Sequence, residues 1–161
     1  MNMIFWLVAA CTVISGVIAG VSFDVAAVKL PTRKRIGAVA YAHFARGNDM
    51  GNGMVVYPTV AILALLLITG ATAAAYFLPA RQTVLLPLFA ACAGTVASFL
   101  CTAKAAPNML SLRHAPDDEK LLTEKLDRFA FWHTYRFAFQ FLTFIATVCA
   151  LVAISQMFQR S

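Results

Sequence analysis

Four apolar stretches, each bounded by charge, dominate the chain. Residues 1–23 carry no charged side chain, and none falls between Asp49 and Arg81, between Arg81 and Lys104, or between Arg136 and Arg160. A helix needs about 20 mostly apolar residues to cross the hydrocarbon core of a bilayer, and each stretch supplies them. The pattern predicts spans near 3–28, 54–78, 83–103 and 132–157. Spans two and three are separated by only a few residues around Pro79 and Arg81, a link short enough for an antiparallel hairpin. Pro58 and Pro87 fall in the first turns of their spans, where a missing N–H costs little. The expected fold class is all-α: an integral membrane four-helix bundle with antiparallel up-down topology. It forms one domain over 1–161, with long loops at 30–53 and 104–131. The first stretch differs from a cleavable secretory signal, because no basic region precedes it and its apolar run exceeds about 7–15 residues.

Composition supports the same picture. Hydrophobic residues make up 61% of the chain and charged residues 12%, against about 25% charged in a soluble domain. The net charge of +6 could suggest nucleic acid, but topology explains the basic residues better. Lys29, Arg33, Lys34, Arg35 and Arg46 lie in or beside the first loop, and Lys104, Arg113, Lys120, Lys125 and Arg128 in the third. The other side has only Arg81 and Arg160. Positive charge marks cytoplasmic loops, so both long loops are expected in the cytoplasm and both termini outside, in a bacterial inner membrane. The expected partners are the lipid bilayer and a hydrophobic small molecule, with a homo-oligomer or a partner membrane subunit as further options and no nucleic acid. Cys11, Cys92, Cys101 and Cys149 all fall inside spans without a CxxC pair, a pattern of small packing residues rather than of a zinc or disulfide framework.

The loops carry structure of their own. Residues 33–46 read as a short amphipathic helix able to lie at the interface, followed by a glycine- and asparagine-rich run from Gly47 to Gly53 suited to a tight backbone. Residues 117–128 form a charged helix with acids first and bases later, the order the helix dipole favours. Gly16 and Gly20 share a spacing that allows close helix approach, and Gly94 stands four residues before Ser98.

Span four is the informative one. His133, Arg136, Gln140, Thr143 and Thr147 are separated by steps of 3, 4, 3 and 4, which confines them to an arc of roughly 80° on a helix. A polar stripe on an apolar helix points into the bundle, and an arginine at that depth costs about 2.5–3.5 kcal/mol to insert unless something holds it. Asp24, the one acid inside a span, is the expected partner for Arg136 or His133. Alternating span directions bring Asp24, His43, Asn48, Asp49, Asn52, Asn108, His133 and Arg136 to one membrane face. Two readings follow: an ion pair that locks the bundle, with Arg136 and Trp132 at the interface, or a binding site. His43, His114 and His133 have no spacing that supports a metal centre, and haem would want more histidines within the spans. No cofactor and no metal is expected.

These residues resemble the anthrone oxygenase-like family of small four-span membrane proteins, long catalogued as a domain of unknown function. The resemblance rests on Gly16 and Gly20 in span one, Pro107-Asn108 after span three, and Trp132-His133 with Arg136 opening span four. It implies a four-span scaffold and, from the fungal members, oxidation of polyketide anthrones without metal or flavin. On that basis the function expected is a membrane-embedded oxidoreductase, a cofactor-independent oxygenase acting on an aromatic or quinol-like molecule. His133 would be the general base, and Arg136 with Asn108 would stabilise the oxyanion. Asp24 would orient the pair. Trp132, Gln140, His43 and Asn52 would contact the substrate. A non-enzymatic membrane subunit or scaffold, and a lipid- or quinone-binding protein, stand as alternatives.

Overall fold

A computed structural model describes residues 3–77 and 81–159; Pro79 of the expected hairpin link and Arg160 lie outside them. All regular structure among the described residues is helical: α1 (Met3–Asp24), α2 (Leu30–Ile36), α3 (Ala38–Asn48), α4 (Gly53–Ala75), α5 (Arg81–Leu110) and α6 (Glu119–Gln159). Four helical stretches are long and apolar enough to cross a membrane: Met3–Ile36, Gly53–Tyr76, Gln82–His114 and Glu119–Met157. The protein is a multi-pass membrane helical bundle.

The first long helix departs from expectation. A π-helical turn, Val25–Lys29, joins α1 to α2 without a break, so helix continues to Ile36 rather than ending near residue 28. The expected 33–46 helix is instead two pieces divided at Gly37, whose φ of 85° lies in the region that glycine alone enters cheaply. No local side chain caps α3. Its first amides are taken by a carboxylate from another element: Ala38 N–H donates to Glu119 Oε1 at 2.6 Å and Val39 N–H to Oε2 at 3.2 Å. That contact satisfies orphan donors and sets negative charge against the positive end of the helix.

At the other end of the chain, the charged segment and span four fuse into one 41-residue helix. At 1.5 Å per residue α6 is about 60 Å long, roughly twice the hydrocarbon thickness. Asp118 starts it, with Oδ1 accepting from the amides of Lys120 (2.9 Å) and Leu121 (3.0 Å).

Two apolar cores hold the bundle. One gathers Ile4, Val8 and Cys11 of α1, Ile68 to Ala75 of α4, Val84 to Ala91 of α5, and Ala150 and Ile154 of α6. Starts of some helices thus meet ends of others, as alternating directions produce. The second, at the loop end, joins Val25, Tyr41, Ala45 and Met50 to Ala105, Met109 and Leu112 and to Leu122, Leu126 and Phe129. Between the two lies a polar layer of buried Ser15, Ser22, Thr95, Ser98, His133, Thr143 and Thr147. The most extensive packing is between α5 and α6, and Gly94 is the reason they approach so closely: a Cβ there would stand 2.4 Å from Thr143 Oγ1 and 3.3 Å from the Phe139 carbonyl. Gly16 meets Phe144 in the same way at 3.1 Å, whereas Gly20 has nothing within 4 Å, so only one member of the expected glycine pair packs against a helix of this chain.

Candidate functional site

The polar stripe of α6 turns inward. His133 and Thr147 are fully buried and Thr143 nearly so, with Arg136 and Gln140 partly buried beside them. His133 is held on both sides. Arg136 Nη2 lies 2.5 Å from Nδ1, and Nε2 lies 3.2 Å from the Ser22 carbonyl of α1. A guanidinium only donates and a carbonyl only accepts. The ring is therefore neutral, with its lone pair on Nδ1 facing Arg136 and its hydrogen on Nε2 facing Ser22. Phe129, one turn earlier, stacks on the imidazole at 5.4 Å and 19° and lies under the guanidinium at 6.0 Å.

Asp24 does not complete this pair. It bridges to Lys29 at 3.0 Å, and the π-helical turn explains why. On an α-helix residues five apart diverge by about 140°, whereas a π turn bonds i to i+5 and stacks them. The extra residue brings Lys29 over Asp24 and leaves Arg136 without a carboxylate bridge among the described residues; its Nε is buried without a hydrogen-bond partner. The acid that does act on Arg136 is Asp49, at the end of α3. Burial raises its carboxyl above the usual 3.8, opposed by Lys29, by the hydrogen bond from Asn48, and by Arg136.

Asn108 is not assembled with the pair either. It lies within α5 rather than after it, and its side-chain amide donates to the Lys104 carbonyl one turn back at 2.8 Å. Asn52 sits in the turn before α4, exposed, with no side-chain cap bond. Trp132 packs against the loop-end core and meets the Phe131 ring edge-on at 5.3 Å. His43 is exposed on α3, in a separate cluster, 3.0 Å from Asp117. No three histidine, cysteine or acidic residues gather as metal ligands among the described residues.

Gln140 leads to the space that the sequence did not locate. Ser22, whose carbonyl holds His133, also donates its hydroxyl to Gln140 Oε1. Gln140 in turn lines a small, half-open cleft among the helices, with a cavity volume of about 20 Å³, room for one hydroxyl- or water-sized group. Ser15 and Ile18 of α1, Ala61, Ala64 and Ile68 of α4, and Thr95, Ser98 and Phe99 of α5 line it too, with Thr143 of α6. Each of these residues lies well inside its helix, away from the helix ends. Ser15 Oγ is buried and has no hydrogen-bond partner. Ser15 and Ser22 were legible in principle: seven residues apart, they are two turns apart on one face of an apolar helix.

No protein-family model, curated protein or solved structure matches the chain. The resemblance to the anthrone oxygenase-like family therefore rests on the short motifs alone.

A second cluster fastens α3 at the loop end. Arg46 donates to the carbonyls of Leu112 (3.0 Å) and Ala115 (2.8 Å) and to Asp117 (3.2 Å), and Arg33 pairs with Asp127. The His43 hydrogen bond, followed by that of Arg46, holds the Asp117 carboxyl below its usual 3.8. A lowered folded value means that ionised Asp117 favours the docked state above the unfolded value, and that this contribution disappears as pH falls through the lowered one. Asp117→Asn is expected to speed hydrogen exchange of the 38–48 amides at neutral pH. The gap between variant and parent should close in acid. Equal exchange at neutral pH would show that Asp117 does not fasten α3.

Proposed function

We propose that the protein binds a small, largely apolar molecule by one end, a polar group entering the cleft and the rest lying along its open side among the acyl chains. The observation that carries this reading is the convergence of Ser15, Thr95, Ser98, Gln140 and Thr143 on an otherwise apolar opening, one of them with an unpartnered buried hydroxyl. Few precisely placed polar groups in an apolar wall are the mark of a ligand site, and polar groups placed inside a membrane domain are costly enough to imply use. The excess of basic residues in the two long loops supports a cytoplasmic loop end and external termini in a plasma membrane.

An anthrone-type oxygenase reaction would build on the same uptake and adds a demand on His133. To take a proton from substrate, Nδ1 must first give up Arg136, because the lone pair a base uses already accepts that N–H. Binding asks for no such rearrangement and is the function the geometry supports best. The subunit alternative draws on Gly20, whose open face leaves room for another helix, but it leaves the polar layer without a role.

The test is photolabelling in liposomes with a diazirine-bearing alkyl probe. Ala61, a partly buried residue of the lining, is replaced by phenylalanine to fill the cleft. Saturable labelling is expected on peptides around Ser15 and Ala64 in the parent and is expected to vanish in Ala61→Phe. The exposed Leu86 and Val152, on other peptides, should label equally and without saturation in both. Labelling confined to those two would remove the proposal.

A further inference from the structure

We infer that the occupant of the cleft carries a hydroxyl group at the depth of Ser15 and Gln140, and so is a lipophilic alcohol or phenol rather than a ketone, quinone or plain hydrocarbon. This rests on the binding reading above and follows from which hydrogen-bonding positions the wall has already spent.

Three of the five polar side chains have spent their hydrogen. Thr95 Oγ1 donates to the Ala91 carbonyl, Ser98 Oγ to that of Thr95, and Thr143 Oγ1 to that of Phe139, each at 2.8 Å. A carbonyl has nothing to donate, so each hydroxyl hydrogen is the one in use, and what these three still offer the cleft is lone pairs. This back-bonding within a helix is the usual way Ser and Thr settle in membrane helices. Gln140 is committed in the opposite sense: its Oε1 accepts from Ser22, which leaves both amide hydrogens and one lone pair free. Ser15 Oγ is uncommitted and can give or take.

The wall therefore presents acceptors from α5 and α6, an amide donor from α6, and a free hydroxyl from α1. A hydrocarbon answers none of these. A ketone or quinone oxygen can accept from Gln140 and Ser15 but has no hydrogen for Thr95, Ser98 or Thr143. One hydroxyl does both, accepting from the amide and donating to a spent serine or threonine. Buried sites built to meet a hydroxyl discriminate against analogues that lack it, because their own groups are then left unpaired.

The experiment is competition against the photoprobe in liposomes, with dodecanol, its matching methyl ketone and dodecane compared at equal membrane mole fraction. Dodecanol is expected to displace cleft labelling at a concentration lower by about tenfold than the ketone, the worth of roughly one hydrogen bond, and dodecane to trail both. In Ser15→Ala, a small truncation of a group with no partner, the advantage of the alcohol should shrink while the ketone changes less. Equal competition by alcohol and ketone, with labelling still saturable and still abolished by Ala61→Phe, would overturn the hydroxyl assignment and leave the cleft standing. Loss of saturable labelling around Ser15 and Ala64 in the parent would overturn both together.

Discussion

Truncating His133 to alanine is expected to destabilise the bundle by about 2–4 kcal/mol, read as a lowered unfolding midpoint in mild detergent. Two effects combine. Removal of a fully buried imidazole leaves a void against Phe129, and it strips Arg136 of its hydrogen-bonded partner among the described residues, adding an orphaned Nη2 to a buried Nε that is already without one. The figure is held below that for a buried ion pair in a soluble core, because polar groups find substitutes in the unfolded membrane state. The informative comparison is His133→Ala with Arg136→Met added. Removing one partner of a buried charged contact costs more than removing both, so the double variant should recover about 2 kcal/mol of the loss. If the two changes simply add, Arg136 is satisfied by something other than His133.

Gly94→Ala should cost about 1–3 kcal/mol through overpacking, although alanine is the better helix former. The new methyl would stand 2.4 Å from Thr143 Oγ1, and the threonine cannot swing aside freely because its hydroxyl is bonded to the Phe139 carbonyl behind it. Thr143→Ala in the same chain removes the offending oxygen and leaves only the 3.3 Å approach to that carbonyl. The pair should therefore be more stable than Gly94→Ala alone, in a detergent unfolding series. A Gly94→Ala protein as stable as the parent would mean that α5 and α6 are not pressed together at this point.

The four long helices could be read from the sequence because the signal is one of bulk: a run of apolar residues long enough to cross hydrocarbon needs no knowledge of its neighbours. The inward face of α6 was equally legible, since the 3-4-3-4 spacing of His133, Arg136, Gln140, Thr143 and Thr147 fixes an arc on any α-helix. Partners were not. Pairing Asp24 with Arg136 assumed a regular α register, and the π turn at Val25–Lys29 shifts that register by one residue with no mark in the sequence. The division at Gly37 was hidden for a related reason. The residues around it favour helix, and what makes a break affordable there is a glutamate 82 positions later, Glu119, reaching back to the first amides of α3. Asn108 falls in the expected loop because the charge of Lys104 bounds the apolar stretch, yet α5 continues through it. The cleft escaped notice because it is made of residues that look like packing filler, and only the joint geometry of four helices turns Ser15, Thr95 and Ser98 into a wall.

The placement of that cleft between two apolar cores has a thermodynamic consequence for the proposed binding. Apolar packing flanks it on both sides along the bundle, and Ala61 and Phe99 are partly exposed members of its lining, so an occupant of the kind proposed would come from the surrounding acyl chains. Such a solute would have to dissolve in the membrane first, and the quantity governing its occupancy would be its mole fraction among the lipids. Diluting the vesicles with buffer would barely empty the site for a strongly partitioning molecule, whereas adding protein-free lipid would drain it.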